Sequence, residues 1–177
     1  MEVFVGEVIK TMKPKLNNHA YIDGSNLHKG ITELGWQLDY KRFRVWLFEK
    51  YAVTKAYIFL GFIATNTNLY RDLQNWGYTI VFKPTIPNEK GEIKGNCDAE
   101  MVLQAVSDMY EQRYDKALLV TGDGDFACLV YFLNERNKLE AVLSPSHKKA
   151  SVLLRKAVPE KILFLERFKD RLEYGRK

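Results

Sequence analysis

With 177 residues, 46% of them hydrophobic, the chain is long enough to bury a single core and too apolar for a disordered protein. It has no apolar run near the ~20 residues of a membrane span, no secretory signal pattern, and only two isolated cysteines, so we expect a cytoplasmic protein without membrane contact. The net charge is +5, and the basic residues concentrate from His147 to Lys177, where ten Lys or Arg accompany four Asp or Glu. Such a basic end suits a polyanionic partner, although a solvated helix face explains it more simply.

The first half of the chain predicts three strands that alternate with helices. Residues 1–18 are expected to form an N-terminal extension with a short helix over Val8–Met12, and residues 19–177 a single domain with a basic C-terminal helical section. Strands are indicated by apolar, β-branched and aromatic runs, and helices by apolar residues three and four positions apart. The predicted elements are a strand at Ala20–Asp23, a helix capped by Ser25 or Asn26, a helix capped by Asp39, a strand at Val53–Ile63, a helix from Asn66 or Asn68 to Gly77, and a strand at Tyr78–Phe82.

The second half continues the alternation after one long loop, Pro84–Gly95. The predicted elements are a helix at Asn96–Tyr110, a strand at Leu118–Val120, a helix through Phe126, Val130 and Leu133, a strand at Leu139–Leu143, and a basic section of helix with a short strand at Ile162–Leu165. Repeated alternation of strand and helix predicts an α/β fold, in which helices cover both faces of a central, mainly parallel sheet.

The stretch KALLVTGDGDF, at Lys116–Phe126, carries the most specific chemical signal. Its apolar run is typical of a strand buried on both faces. The glycines Gly122 and Gly124 allow a sharp turn and a close approach of the backbone to its surroundings. They leave Asp123 and Asp125 at the end of the strand, which is where open α/β sheets bind their ligands.

Two further carboxylates are expected near this turn. Asp23 ends the first strand, and the carboxyl ends of parallel strands share one edge of the sheet, so Asp23 and the Asp123 and Asp125 pair can converge. Asp98 joins them if its helix begins at the same edge. Four clustered acids repel unless a cation compensates them, and an oxygen-only ligand set favours Mg²⁺ or Mn²⁺ over zinc. Such cations bind phosphates and acidify water for phosphodiester cleavage.

Each residue of this group also has a simpler interpretation. Asp23 before a glycine can start a turn, and Asp98 can stabilise the first turn of its helix. The Asp123 and Asp125 pair resembles part of a calcium loop but lacks the remaining ligands of an EF-hand. Asn26 serves as a helix cap or positions substrate or water. Coincidence must explain all these positions at once, which favours a metal site.

Three blocks of the sequence resemble the signature blocks of NYN-domain proteins, in the LabA-like branch of the PIN-like nuclease superfamily. They are YIDGSNL at Tyr21–Leu27, KGNCDAEMVLQA at Lys94–Ala105 and LLVTGDGDFACLV at Leu118–Val130. The resemblance implies a PIN-like three-layer α/β/α sandwich and an acidic site for RNA cleavage that depends on Mg²⁺ or Mn²⁺. By position it assigns the family's site residues to Asp23, Asn26, Asp98, Asp123 and Asp125.

The leading hypothesis is a metal-dependent endoribonuclease with those four aspartates as metal ligands and Asn26 as a catalytic or substrate-positioning residue. Substrate phosphates are expected at Lys94, Lys148, Lys149 and Arg155, where solubility alone is an equally simple explanation. The alternatives are a non-catalytic RNA-binding or regulatory scaffold and a phosphatase for small phosphoesters. RNA is the expected partner, and the sequence leaves homo-oligomerisation open.

Overall fold

The structure is a computed structural model that describes residues 16–83, 86–87, 93–94 and 97–175, with the side chains of 86–87 and 93–94 excepted. The helix expected over Val8–Met12 lies outside these residues. So does most of the Pro84–Gly95 segment, of which two short strands are described.

The centre of the molecule is a six-stranded sheet in which every neighbouring pair is parallel. The described strands are β1 (Asn18–Asp23), β2 (Val53–Gly61), β3 (Tyr78–Lys83), β4 (Ile86–Pro87), β5 (Ile93–Lys94), β6 (Ala117–Val120), β7 (Leu139–Ser144) and β8 (Ile162–Phe164). The strand order of the six-stranded sheet is β3-β2-β1-β6-β7-β8, so β1 and β6 lie side by side in the middle, and β4 and β5 form a separate pair. The predicted parallel α/β sheet is confirmed.

Helices cover both faces of the sheet, because alternate residues of the central strands face opposite sides. The described α-helices are α1 (Gly24–Thr32), α2 (Tyr40–Tyr51), α3 (Thr67–Asn75), α4 (Asp98–Tyr110), α5 (Ala127–Glu135), α6 (Val152–Ala157) and α7 (Lys169–Leu172). Ala20 and Ile22 belong to a core with α1, α2, α3 and α7, whereas Tyr21 belongs to a second core with α4, α5 and α6. The molecule is therefore a three-layer α/β/α sandwich.

The cap of α1 differs from the prediction. Neither Ser25 nor Asn26 caps this helix, because both lie inside it. The cap is Asp23, whose backbone is still extended and whose Oδ1 accepts a hydrogen bond from the backbone N–H of Asn26 at 3.0 Å. The last residue of β1 thus also begins α1, and the strand passes into the helix without an intervening loop.

The start of the first strand and the long loop also differ from the prediction. The first strand begins at Asn18, before the predicted Ala20, because the Asn18 side chain donates to the carbonyl of Tyr51 and accepts from the N–H of Lys116. These bonds anchor a polar residue at the start of a buried strand. In the segment predicted as one loop, β4 and β5 pair antiparallel, since isoleucine favours extended structure.

Candidate functional site

Three carboxylates meet at the C-terminal edge of the central strands. Asp123 and Asp125 lie in the turn after β6, and Asp98 is the first residue of α4. Each offers an oxygen atom that lies within 4.8 Å of the corresponding oxygens of the other two. Asp98 and Asp123 are half-buried and Asp125 is exposed, so the cluster is open to solvent on one side.

Asp23 lies beside this cluster, at the end of the neighbouring strand. It is half-buried and accepts hydrogen bonds from the N–H of Asn26 and, at 3.3 Å, from the hydroxyl of Thr121. Burial raises the pKa of the Asp23 carboxyl, and the negative charges of Asp98 and Asp123 raise it further, whereas the two hydrogen bonds lower it. The structure therefore brings all four predicted aspartates to one edge, with Asp23 in electrostatic contact with Asp98 and Asp123.

A small hydrogen-bond network holds the turn after β6 in place. Thr121 Oγ1 accepts from the N–H of Asp123 at 3.1 Å while its hydroxyl donates to Asp23. Asn26 Oδ1 accepts from the N–H of Gly122 at 2.8 Å, and Asp123 Oδ1 accepts from the N–H of Asp125 at 3.0 Å. The first turn of α1 is thereby fixed to the turn that carries the acids.

Thr121 is the residue of this network that the sequence did not single out. It is fully buried, although its side chain is polar. The available signal was its position, since it is a hydroxyl residue directly after an apolar strand and directly before the glycine and aspartate pairs. Buried hydroxyls need a partner, and Thr121 finds one in Asp23 and another in Asp123.

The segment after β7 packs directly on the acidic turn. The N–H of Ser151 donates to the carbonyl of Gly122 at 2.9 Å, and a Cβ atom placed on Gly122 would lie 2.6 Å from the carbonyl oxygen of Lys149. A cavity of about 200 Å³ next to Asn26 is lined by the ion-paired Lys149 and Glu33, together with Lys29. The predicted basic residue Lys149 is therefore close to the acids.

The other predicted phosphate-binding residues have different surroundings. Lys148 is exposed in the same segment, and Arg155, on α6, is half-buried with its Nη1 3.0 Å from Nε2 of His147. Lys94 is the last residue of β5, and its side chain lies outside the described part of the structure.

Comparison with known proteins agrees with this architecture. The family profile described as NYN domain matches residues 20–166, which is most of the chain. The chain belongs to the NYN domain family. NYN domains are generally nucleases with a PIN-like fold, so membership implies a nucleic-acid substrate for this NYN domain.

One solved structure supports the fold independently. A protein of unknown function from Vibrio parahaemolyticus superposes on this NYN domain with a TM-score of 0.73 at 21% sequence identity. The match covers 92% of this chain and 99% of the other. No curated protein matches the chain. Within the described ranges, no helix has both the length and the apolar composition needed to cross a bilayer.

The donor set of this NYN domain fits a hard divalent cation. All of its clustered ligands are carboxylates, which suit cations that prefer oxygen. Like charges at such short separations repel, and burial makes the ionised form of Asp23 still less favourable. A bound cation would remove both costs.

Proposed function

We propose that this NYN domain is a metal-dependent endoribonuclease that hydrolyses RNA phosphodiester bonds at the acidic edge. The observation that carries the proposal is the approach of Asp98, Asp123 and Asp125 to within 4.8 Å of one another, beside the half-buried Asp23. Local hydrogen bonds explain Asp23 and Asp123 singly, since each accepts from a backbone N–H that follows it, but they do not explain why four carboxylates share the edge where α/β sheets bind ligands.

Asp23, Asp98 and Asp123 would hold one or two Mg²⁺ or Mn²⁺ ions, and Asp125 would support them or bind the second. When bound, such an ion supplies positive charge for a phosphate and lowers the pKa of water. In the proposed hydrolysis, water would add to the phosphorus in line with the leaving oxygen, the bond from phosphorus to that oxygen would break, and a proton from the water would end on the leaving oxygen.

The remaining residues position these groups. Thr121 fixes the carboxylate of Asp23, and Asn26 fixes the turn through its Oδ1. The Nδ2 group of Asn26 would then donate to substrate or water. Lys149, Lys148 and Arg155 would hold phosphates of the strand on the side of the cluster toward β7, and Lys94 is proposed as a further phosphate contact from its place in the sequence.

The proposal also includes a branch of the family and a cellular compartment for this protein. The three sequence blocks support a position in the LabA-like branch of the family. Cys97 and Cys128 are both free thiols, which suits the reducing conditions of the cytoplasm.

The test is cleavage of end-labelled RNA by purified protein with Mn²⁺ or Mg²⁺, and with EDTA. We expect internal cleavage that needs the metal and is lost in Asp123→Asn. The matched control is Glu135→Gln, which neutralises an exposed carboxylate on α5 and should cleave like the wild type.

Metal binding is measured separately as a rise in the melting temperature with Mn²⁺, which mass action requires of any ligand of the folded state. The rise should be smaller in Asp123→Asn. RNA retention on a filter without cleavage under any divalent metal would replace the nuclease with the scaffold. Turnover of a chromogenic phosphomonoester without RNA cleavage would replace it with the phosphatase.

A further inference from the structure

A cavity of about 370 Å³ opens beside the acidic edge, on the side toward β2. Its walls are mainly apolar and come from the end of β2 and from α3, with Leu69, Tyr70 and Leu73 among them. Its lining includes the polar side chains of Ser25, His28 and Asn66, together with Tyr40. A volume in the range of about 300–1,000 Å³, with apolar walls and a few polar groups, is typical of small-ligand sites.

The cavity lies next to the start of α1, where Asp23 caps the helix. Gly24, the residue after Asp23, forms part of its wall. A Cβ atom on Gly24 would lie 3.0 Å from the carbonyl oxygen of Phe59, so α1 begins in close contact with the end of β2. A group bound in the cavity is therefore a neighbour of a phosphate bound at the acids.

The size and chemistry of the cavity suit a nucleobase. Apolar walls that include the rings of Tyr40 and Tyr70 can pack against the faces of a base, while a hydroxyl, an imidazole and an amide can donate to or accept from its edge. The ring of Tyr70 is held in place, because its oxygen accepts a hydrogen bond from the N–H of Ile63 at 2.9 Å. A fixed ring is a better stacking surface than a mobile one, since less entropy is lost on binding.

Exposed aromatic rings continue this surface beyond the cavity. Phe62 is 44% exposed and Phe82 is 37% exposed. The ring centroid of Phe82 lies 4.6 Å from that of Tyr70 and 5.5 Å from that of Phe62. Neighbouring aromatic rings at a protein surface are the usual platform for the unstacked bases of a single strand.

The other side of the acids carries basic residues. Lys29 and Lys149 line the smaller cavity next to Asn26, toward β7, together with Glu33, which is ion-paired with Lys149, so the cavity has one positive charge in excess. Along the sheet edge, the order is thus an aromatic surface, an apolar cavity, the acids and a basic segment. This order matches a polynucleotide with a base on one side of the scissile phosphate and further phosphates on the other.

We propose that a nucleotide adjacent to the scissile phosphate inserts its base into the cavity, which is thus a base-binding subsite of the proposed nuclease. A paired base is held inside the duplex and does not reach the cavity unless the pair opens. This inference rests on the proposed nuclease function, because it uses the position of the acids to place the phosphate.

The test combines a cavity-filling variant with a modified RNA. Leu69 is 41% exposed at the rim, and Leu69→Trp would occupy the space of the base. The matched control is Leu103→Trp, on the outer face of α4, where the leucine is 68% exposed. A short labelled single-stranded RNA is bound to each protein in EDTA, with an abasic nucleotide moved along the strand one position at a time.

We expect Leu69→Trp to weaken binding by about tenfold or more, the usual loss for one stacked base, and Leu103→Trp to bind like the wild type. One abasic position should weaken binding to the wild type by a similar factor. At that position Leu69→Trp should show no further loss, because the variant and the missing base remove the same contact. A duplex of the same sequence should bind more weakly.

Cleavage with Mn²⁺ is measured in parallel, so that the two proposals fail separately. If Leu69→Trp and every abasic RNA bind and are cleaved as in the wild type, the base cavity is refuted and the nuclease stands. If binding shows the coupled losses but no RNA is cut, the cavity stands and the nuclease falls. Should Leu69→Trp not fold, the abasic series with the wild type decides alone, since equal binding at every position refutes the cavity.

Discussion

Thr121 and Asp23, 98 residues apart in the chain, are joined by a hydrogen bond in which the threonine hydroxyl donates to Asp23 Oδ2 at 3.3 Å. The same oxygen of Thr121 accepts from the N–H of Asp123. One buried side chain therefore connects the acids that follow two neighbouring strands. The geometry of the proposed metal site depends on this residue as well as on the ligands.

We predict that Thr121→Val impairs cleavage by about 10- to 100-fold, the range expected for small displacements of catalytic groups. Valine has nearly the shape of threonine but leaves the N–H of Asp123 without its partner, which should also lower the free energy of unfolding by about 1–3 kcal/mol. Cleavage rates and urea unfolding measure the two effects. Thr121→Ser keeps the hydroxyl and is expected to retain most activity. Full activity in Thr121→Val would show that the network is dispensable.

Much of the fold was predictable because parallel strands buried on both faces have a distinctive sequence. Leu118, Leu119 and Val120 are fully buried, as a continuous apolar run predicts. The meeting of Asp23 with Asp123 also followed from topology, since the ends of adjacent parallel strands share one edge.

The residues that could not be predicted depend on contacts between distant segments. The wall of the base cavity combines Gly24 with Leu60 and Leu69, and no spacing in the sequence marks these residues as a group. Of the two reasons expected for Gly122 and Gly124, the structure shows the close approach. Neither has a positive φ, so they are needed for the close packing of the segment after β7 and not for an unusual backbone conformation.

We predict that Asp23→Asn stabilises the metal-free protein at neutral pH while abolishing cleavage. Burial raises the pKa of Asp23 above 3.8, so the native state binds this proton more tightly than the unfolded chain does. The free energy of unfolding therefore decreases as the pH rises through the raised pKa, and the loss persists at neutral pH. Asparagine avoids this loss and keeps an oxygen for the N–H of Asn26.

Urea unfolding in EDTA at acidic and neutral pH measures this effect. At neutral pH, the urea concentration at the unfolding midpoint should be higher for Asp23→Asn than for the wild type. The difference between the two midpoints should narrow in acid, where the carboxyl of Asp23 in the wild type is protonated. Glu135→Gln removes an exposed charge and should leave the midpoint nearly unchanged. Equal midpoints for Asp23→Asn and wild type at neutral pH would contradict the electrostatic cost assigned to the site.

We predict that Asp108→Ala destabilises the protein without a specific effect on catalysis. Asp108 is buried and accepts hydrogen bonds from the hydroxyl of Tyr21 at 2.9 Å and from the side-chain amide of Gln104 at 2.8 Å. Nδ1 of His19 lies 3.7 Å from Oδ2 of Asp108. Truncation leaves the donors of Tyr21 and Gln104 without this partner, so the free energy of unfolding should fall by about 3 kcal/mol.

Asp108 lies near the end of α4 and contacts the start of β1, whereas the acidic cluster lies at the opposite ends of both elements. Cleavage per folded molecule should therefore be unchanged below the melting temperature. Adding Tyr21→Phe should recover part of the stability, because the unpaired hydroxyl is then absent. A selective loss of activity in well-folded Asp108→Ala would indicate a coupling to the site that the contacts do not predict.

We predict that Gly122→Ala displaces the acidic turn. The new Cβ would lie 2.6 Å from the carbonyl oxygen of Lys149 and 2.9 Å from the hydroxyl oxygen of Ser144. A backbone carbonyl cannot rotate away as a flexible side chain can, so either the turn or the segment after β7 must move. Overpacking of this kind costs about 1–3 kcal/mol of stability, and the displaced Asp123 should reduce metal binding and cleavage together.

The hydroxyl contact supplies the control for this prediction. Ser144→Ala removes that neighbour of the new Cβ but leaves the carbonyl oxygen of Lys149 in place. Ser144→Ala alone also loses the hydrogen bond from Ser144 to the carbonyl of Ser146, so it is the reference for the double variant. Relative to that reference, Gly122→Ala should still lower the thermal stability and the Mn²⁺-dependent shift of the melting temperature as much as it does in the wild type. Recovery in the double variant would mean that the side chain, and not the backbone of the packed segment, sets the position of the acids.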